Sequence, residues 1–97
     1  MLVANQPSID LGKLNLGQSY NFSYTLNNNG TTTETITNLI AGCGSCTTAS
    51  TNKTEVKPGE STLINVTFTP NSTGLQTKKV RVVYSSKELE LTFRAIV

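Results

Sequence analysis

Apolar and polar residues alternate at a spacing of two through most of this chain, and no segment repeats at the spacing of an amphipathic helix. Tyr20, Phe22, Tyr24 and Leu26 are separated by Asn21, Ser23 and Thr25, and Ile64, Val66 and Phe68 by Asn65 and Thr67. In extended backbone, successive side chains point to opposite faces, so each segment has one apolar and one polar face. Such segments must stack two sheets with their apolar faces together, because a lone sheet would leave one apolar face in water.

Seven segments carry the pattern. They are Ser8–Lys13, Ser19–Asn27, Thr33–Ala41, a loop or short edge strand around Thr47–Thr51, Ser61–Thr69, Leu75–Tyr84 and a last one with Leu89, Leu91, Phe93 and Ala95 on one face. In the third, Ile36 and Ile40 are expected on one face and Leu39 on the other. In the sixth, Val80 and Val82 are expected inward, with Lys79 and Arg81 in solvent. Asn29-Gly30 predicts a tight hairpin turn, since both residue types accept positive φ. Pro58-Gly59 within Val56–Glu60 predicts a type II turn, Pro58 presetting φ and Gly59 taking the positive φ that follows. Asn71–Gly74 and Ser85-Ser86-Lys87 supply further turns. Strands at intervals of roughly 8 to 12 residues predict an all-β fold, a seven-stranded immunoglobulin-like antiparallel β-sandwich. Its 97 residues suffice for one core, so residues 1–97 are expected as a single domain. The antibody signature is missing, because the chain has no Trp and Cys43 and Cys46 stand three residues apart.

Charge is sparse, with 8 basic and 6 acidic side chains giving a net +2. Neither nucleic acid nor membrane attraction follows from that balance. Thr, Asn and Ser supply the polarity instead, 35 residues of the 97. Residues 1–7 show neither a basic segment nor an apolar run, so no export leader is read there, and no 18-residue apolar stretch is present.

The chain has no histidine. Serine catalysis would lack its usual general base, and the acids Asp10, Glu34, Glu55, Glu60, Glu88 and Glu90 are spread over turns and outward strand positions rather than converging. No enzyme activity and no cofactor is expected. Cys43 and Cys46 form a Cys-x-x-Cys unit in a glycine-containing loop. Three readings compete: a redox pair, which needs a helix amino terminus; a zinc site, which needs further ligands from carboxylates or another subunit; and a local disulfide or pair of packed thiols that shapes the loop. Lys78, Lys79, Arg81 and Lys87 gather on or near the sixth strand, where Glu88 and Glu90 of the last strand would offset them in cross-strand ion pairs. Five Asn-x-Ser/Thr sequons, at Asn21, Asn29, Asn52, Asn65 and Asn71, are in line with chance for a chain this rich in Asn, Ser and Thr.

Ile9-Asp10-Leu11-Gly12, Leu16-Gly17-Gln18, Asn28-Asn29-Gly30, Ala41-Gly42-Cys43-Gly44, Val56-Lys57-Pro58-Gly59-Glu60-Ser61 and Ile64–Pro70 follow one another in an order that resembles the ASH (Hydin-like) branch of the major sperm protein superfamily. The resemblance is nearest to a bacterial domain family of unknown function with an Ala-Ser-Cys-Gly-Cys-Thr signature. It implies a sandwich used for binding or scaffolding, without catalytic residues to carry over. The departure lies at the cysteines, where Cys43-Gly44-Ser45-Cys46 holds one residue more than the family's Cys-x-Cys.

Elimination leaves a non-catalytic structural or binding protein. The expected role is a bacteriophage virion component, a decoration protein on the capsid surface that contacts the major capsid protein or other virion subunits in multiple copies. A periplasmic or cell-surface accessory binding domain is the alternative, and an intracellular Hydin-type scaffold a third. The Cys43–Asn52 segment, least explained by the core, is the first place to seek a contact.

Overall fold

A computed structural model describes residues 1–42 and 47–97. Among them are nine strands and no helix: β1 Leu2–Ala4, β2 Ser8–Lys13, β3 Tyr20–Asn28, β4 Glu34–Ala41, β5 Thr47–Ser50, β6 Glu55–Val56, β7 Ser61–Phe68, β8 Leu75–Tyr84 and β9 Lys87–Ile96. Sheet A has the order β1-β3-β7-β5 and sheet B the order β2-β9-β8-β4-β6. The immunoglobulin-like sandwich is as expected, with two short strands, β1 and β6, added to the seven. Neither has enough residues to show an alternation, so only their pairing partners reveal them.

The core lies between the sheets. Tyr24 and Leu26 of β3 and Ile64, Val66 and Phe68 of β7 face Val80, Val82 and Tyr84 of β8 and Leu91, Phe93 and Ala95 of β9, all buried. The expected inward faces of β3, β7, β8 and β9 are therefore the observed ones. Phe93 is the centre of an aromatic group, edge-on to Phe22 at 4.9 Å and to Phe68 at 5.1 Å between ring centroids. Edge-to-face contact sets a positive ring edge against a negative ring face. The Tyr24 hydroxyl crosses between sheets to donate to the Thr92 carbonyl at 2.6 Å, which satisfies a polar group that is otherwise buried.

Three local expectations fail, each for a tertiary reason. First, Ile40 is 43% exposed and Leu39 packs on the core with Ile36. The register of β4 on β8 runs from Ile36↔Tyr84 to Asn38↔Val83, so one extra β4 residue is inserted and the alternation inverts beyond it. Secondly, Asn29-Gly30 makes no hairpin: β3 and β4 belong to different sheets, and neither residue has positive φ. The buried Asn28 side chain organises this crossing instead. Its amide donates to the Thr32 and Val56 carbonyls, both at 2.8 Å, and its carbonyl accepts from Gly30 N–H at 3.0 Å and the Met1 amino group at 3.1 Å. Thirdly, the fold is not wholly antiparallel, since β2 runs parallel to β9. Pro7 stands where the chain leaves sheet A for sheet B; it has no N–H to continue a ladder, and its carbonyl accepts from Thr92 N–H at 2.8 Å.

Two turns form as expected. Gly59 takes φ +82° and Glu60 N–H closes on the Lys57 carbonyl at 2.9 Å. Ser85 and Ser86 join β8 to β9 with φ of 45° and 64°, the mirror-image turn geometry that suits a two-residue hairpin and strains residues with a Cβ.

Candidate binding surfaces

The strands of sheet A hold no charged residue at all. Strand alternation places Asn21, Ser23, Thr25 and Asn27 of β3 on the outer face, beside Ser61, Leu63, Asn65 and Thr67 of β7 and Thr48 and Ser50 of β5. Short side chains bond across the strands: the Thr67 hydroxyl donates to Asn21 Oδ1 at 2.7 Å, Ser61 donates to Asn27 Oδ1, and the Asn27 amide donates to Asn5 Oδ1. The result is a neutral sheet of amides and hydroxyls.

Every charged side chain stands on a strand of sheet B or in a loop that adjoins one, and the charged Met1 amino group precedes β1. On the outer face of sheet B Arg94 of β9 meets Asp10 of β2 at 3.2 Å, and Lys79 of β8 meets Glu90 of β9 at 3.3 Å. The Asp10 carboxyl is held below the usual carboxylate range, first by the Gly12 N–H and then by Arg94. At the β6–β7 turn Glu60 is lowered likewise by hydrogen bonds from Lys53 and the Lys57 N–H. The expected cross-strand pairing is thus present, but it is uneven. Among the described residues, Lys78 and Arg81 form no ion pair.

Five of the six acids are exposed, whereas Glu34, expected at an outward position, is 3% exposed. It begins β4 on the inward side with Ile36, and its Oε2 lies 3.2 Å from the Met1 amino group and 3.8 Å from Lys87 Nζ. Those are charge contacts without a hydrogen bond to that oxygen. Nothing in the sequence around Glu34 marks it as buried, because its cover comes from the two chain segments of Met1 and Lys87.

Two shallow cavities flank β4. One, of about 360 Å³, runs along the seam where β4 faces β5, lined by Ile36, Leu39, Ala49 and uncharged polar residues. The other, of about 350 Å³, lies where β4 ends and β8 runs on, lined by Ile40, Gly42, Thr77, Lys78, Lys79 and Arg81. Gly42 fits there because its N–H donates to the Lys79 carbonyl at 2.7 Å, and a Cβ would stand 2.8 Å from that oxygen. Cys43 and Cys46 lie outside the described residues. Among the described residues no group of three potential metal ligands comes together. Among the described residues no helix is long and apolar enough to cross a membrane.

Residues 2–97 match the family described as "Protein of unknown function (DUF1573)". Among solved structures the chain is similar to a protein of unknown function from Porphyromonas gingivalis W83, with a TM-score of 0.85 and 17% identity over 99% of this chain and 46% of that one. It is also similar to the VesB protease of Vibrio cholerae, TM-score 0.77 and 18% identity, covering 99% of this chain and 32% of the protease. An ASH/PapD-like domain of human CEP192 aligns at TM-score 0.69 and 12% identity over 98% of this chain and 83% of that one. The chain thus spans less than half the length of the first two. At these identities the likeness shows the fold, and it includes the ASH-type sandwich that the motif order resembles. No match was found among curated proteins.

Proposed function

The chain belongs to the DUF1573 family, and from its fold and surfaces we propose that it is a non-catalytic module that binds a protein partner in a structural or accessory role. The segregation of charge carries this reading. One complete sheet face is neutral and rich in groups that both donate and accept hydrogen bonds, so it can lie against another protein without desolvating a charge. The acids that might do chemistry are tied to cations instead: Asp10 to Arg94, Glu60 to Lys53 and Glu90 to Lys79. The similar VesB protease, and the VesC protease of Vibrio cholerae that aligns at a TM-score of 0.75 and 18% identity over 98% of this chain and 22% of that one, are much longer than this chain, which is in keeping with an accessory part beside a separate catalytic one.

Two settings fit such a module. A periplasmic or cell-surface setting draws support from the similarity to a protein named as a secreted serine protease, VesC of Vibrio cholerae. Decoration of a virus capsid, in contact with the major capsid protein, draws support from the neutral Thr- and Asn-rich face, which could repeat a weak contact over many copies. The nearer likeness to the bacterial branch with the Ala-Ser-Cys-Gly-Cys-Thr signature is part of the same proposal, carried by motif order. Fractionation of producing cells and of purified virus particles, with the native protein followed by immunoblot and cross-linking, separates the settings. Recovery with one stoichiometric partner in envelope or particle is the expected result. A free monomer in every fraction would overturn the reading.

A further inference from the structure

The geometry points to a recognition site for an acidic peptide segment in the cavity at the end of β4, an inference that rests on the binding-module reading and names the chemistry of the partner. Lys78, Lys79 and Arg81 line that cavity, and among the described residues no carboxylate does. Lys79 is engaged by Glu90 at 3.3 Å, on the far side of β8 from β4. Arg81 stands in register with Glu90, yet among the described residues neither it nor Lys78 makes an ion pair. Lys78 and Lys79 point to opposite faces of β8, and both reach the cavity because β4 stops beside Lys79 while β8 continues toward Leu75. Among the described residues Lys13 and Lys57 also lack an ion pair, but neither lines this cavity, whereas Lys78 and Arg81 reach it from opposite faces of β8 and meet at one concave place.

Size and surroundings choose among anions. A cavity of about 350 Å³ is near the lower limit for ligand pockets and has room for roughly ten waters, more than one free phosphate needs. Its lining includes Ile40, which the β4 bulge turns outward and leaves 43% exposed, so the preferred ligand places an apolar group beside its carboxylates. A nucleic acid strand is disfavoured, because among the described residues no aromatic lines the cavity to stack a base and a phosphate track continued across β9 would meet Glu88 and Glu90. Arg81 supplies a planar fork that can hold one carboxylate in two parallel bonds, and Lys78 a mobile point charge for a second.

The test is titration of the ¹⁵N-labelled chain with an acetylated, amidated peptide Asp-Glu-Leu-Asp-Glu, and separately with inorganic phosphate and a short oligothymidylate, followed by amide chemical shifts. Peptide-induced shifts should centre on Ile40, Gly42 and Thr77–Arg81. The Lys78→Gln/Arg81→Gln double variant should bind about ten-fold more weakly, while Lys13→Gln, which removes a charge elsewhere on sheet B, should leave binding unchanged. Neutral Gln keeps the strand positions polar, and an unchanged dispersion of shifts shows that the variants fold. The inference is overturned by peptide shifts centred elsewhere, by equal weakening in Lys13→Gln, by no binding at millimolar peptide, or by phosphate or oligothymidylate binding these residues as tightly as the peptide. None of those results touches the binding-module reading, which fractionation tests.

Discussion

The two outer faces of this sandwich are made by the same period-two alternation and hold opposite chemistries. Sheet A turns out amides and hydroxyls without one charge, and sheet B turns out ion pairs beside cations such as Arg81 that, among the described residues, have no ion-pair partner. Short neutral side chains interact over one hydrogen-bond length and are indifferent to salt. Ion pairs on an exposed face weaken as salt screens them. One fold can therefore present a neutral face and a charged face, with the core between them left unaltered.

The comparison depends on sheet A keeping its position, which Asn28 secures where β3 leaves for sheet B. Asn28→Ala would leave the Thr32 and Val56 carbonyls and the Gly30 N–H without their partner, and should cost about 2 to 4 kcal/mol in urea unfolding. Asn21→Ala, on the neutral outer face, should change the same measurement by less than about 0.5 kcal/mol. Equal effects would show that the outer amides, and not the buried one, hold the sheet. A smaller change is expected on the other side of the molecule. Ser86→Gly relieves a residue held at φ 64° and should stabilise by roughly 1 kcal/mol in thermal unfolding, with sheet B unchanged.

Salt sharpens the contrast further. Lys79→Gln removes the pair with Glu90 and should cost less than about 0.5 kcal/mol at low salt, a difference that vanishes at high salt. The small effect of Asn21→Ala should not move with salt, and a shift in it would break the division between neutral and charged faces. Acid gives the smallest effect. The Asp10 and Glu60 carboxyls titrate below their ordinary values in the folded chain, so their contribution is present above about pH 4 and lost as pH falls through the folded values. Both groups are exposed, so the acid limb of a stability–pH curve should be shallow, and Asp10→Asn should flatten it slightly. At the alkaline end the sign reverses in origin. Burial raises the Tyr24 phenol, so the stability it confers is complete below about pH 10 and falls as pH rises beyond that, a loss that Tyr24→Phe should remove.

Much of the fold was legible because its long strands keep an unbroken alternation. Tyr20–Asn28, Ser61–Phe68 and Leu75–Tyr84 match their sequence segments to within a residue or two, and Pro58-Gly59 announced its turn through the φ values those residues prefer. Alternation failed where the pairing register shifted. Leu39 and Ile40 exchange faces because of one extra residue opposite Tyr84 and Val83, and both placements suit the local sequence equally. Alternation likewise puts the acids outward, and Glu34 departs because distant segments cover it. At the candidate site, Lys78, Lys79 and Arg81 were visible as a cluster. That Glu90 engages only Lys79, and that Ile40 turns toward their cavity, depended on register and on the bulge.

By itself the sequence determined that strands would form, which face of most of them would be apolar, and that two sheets would enclose one core, since side-chain direction in extended backbone follows position alone. Which strand joins which sheet is settled in the assembled fold. That choice is made by pairing between residues far apart in the chain, as when Pro7 sends β2 to lie parallel to β9 and Asn28 sends β4 away from β3. Because all the uncharged strands fell to one sheet and all the charged ones to the other, the separation of the two faces is a property of the assembled fold.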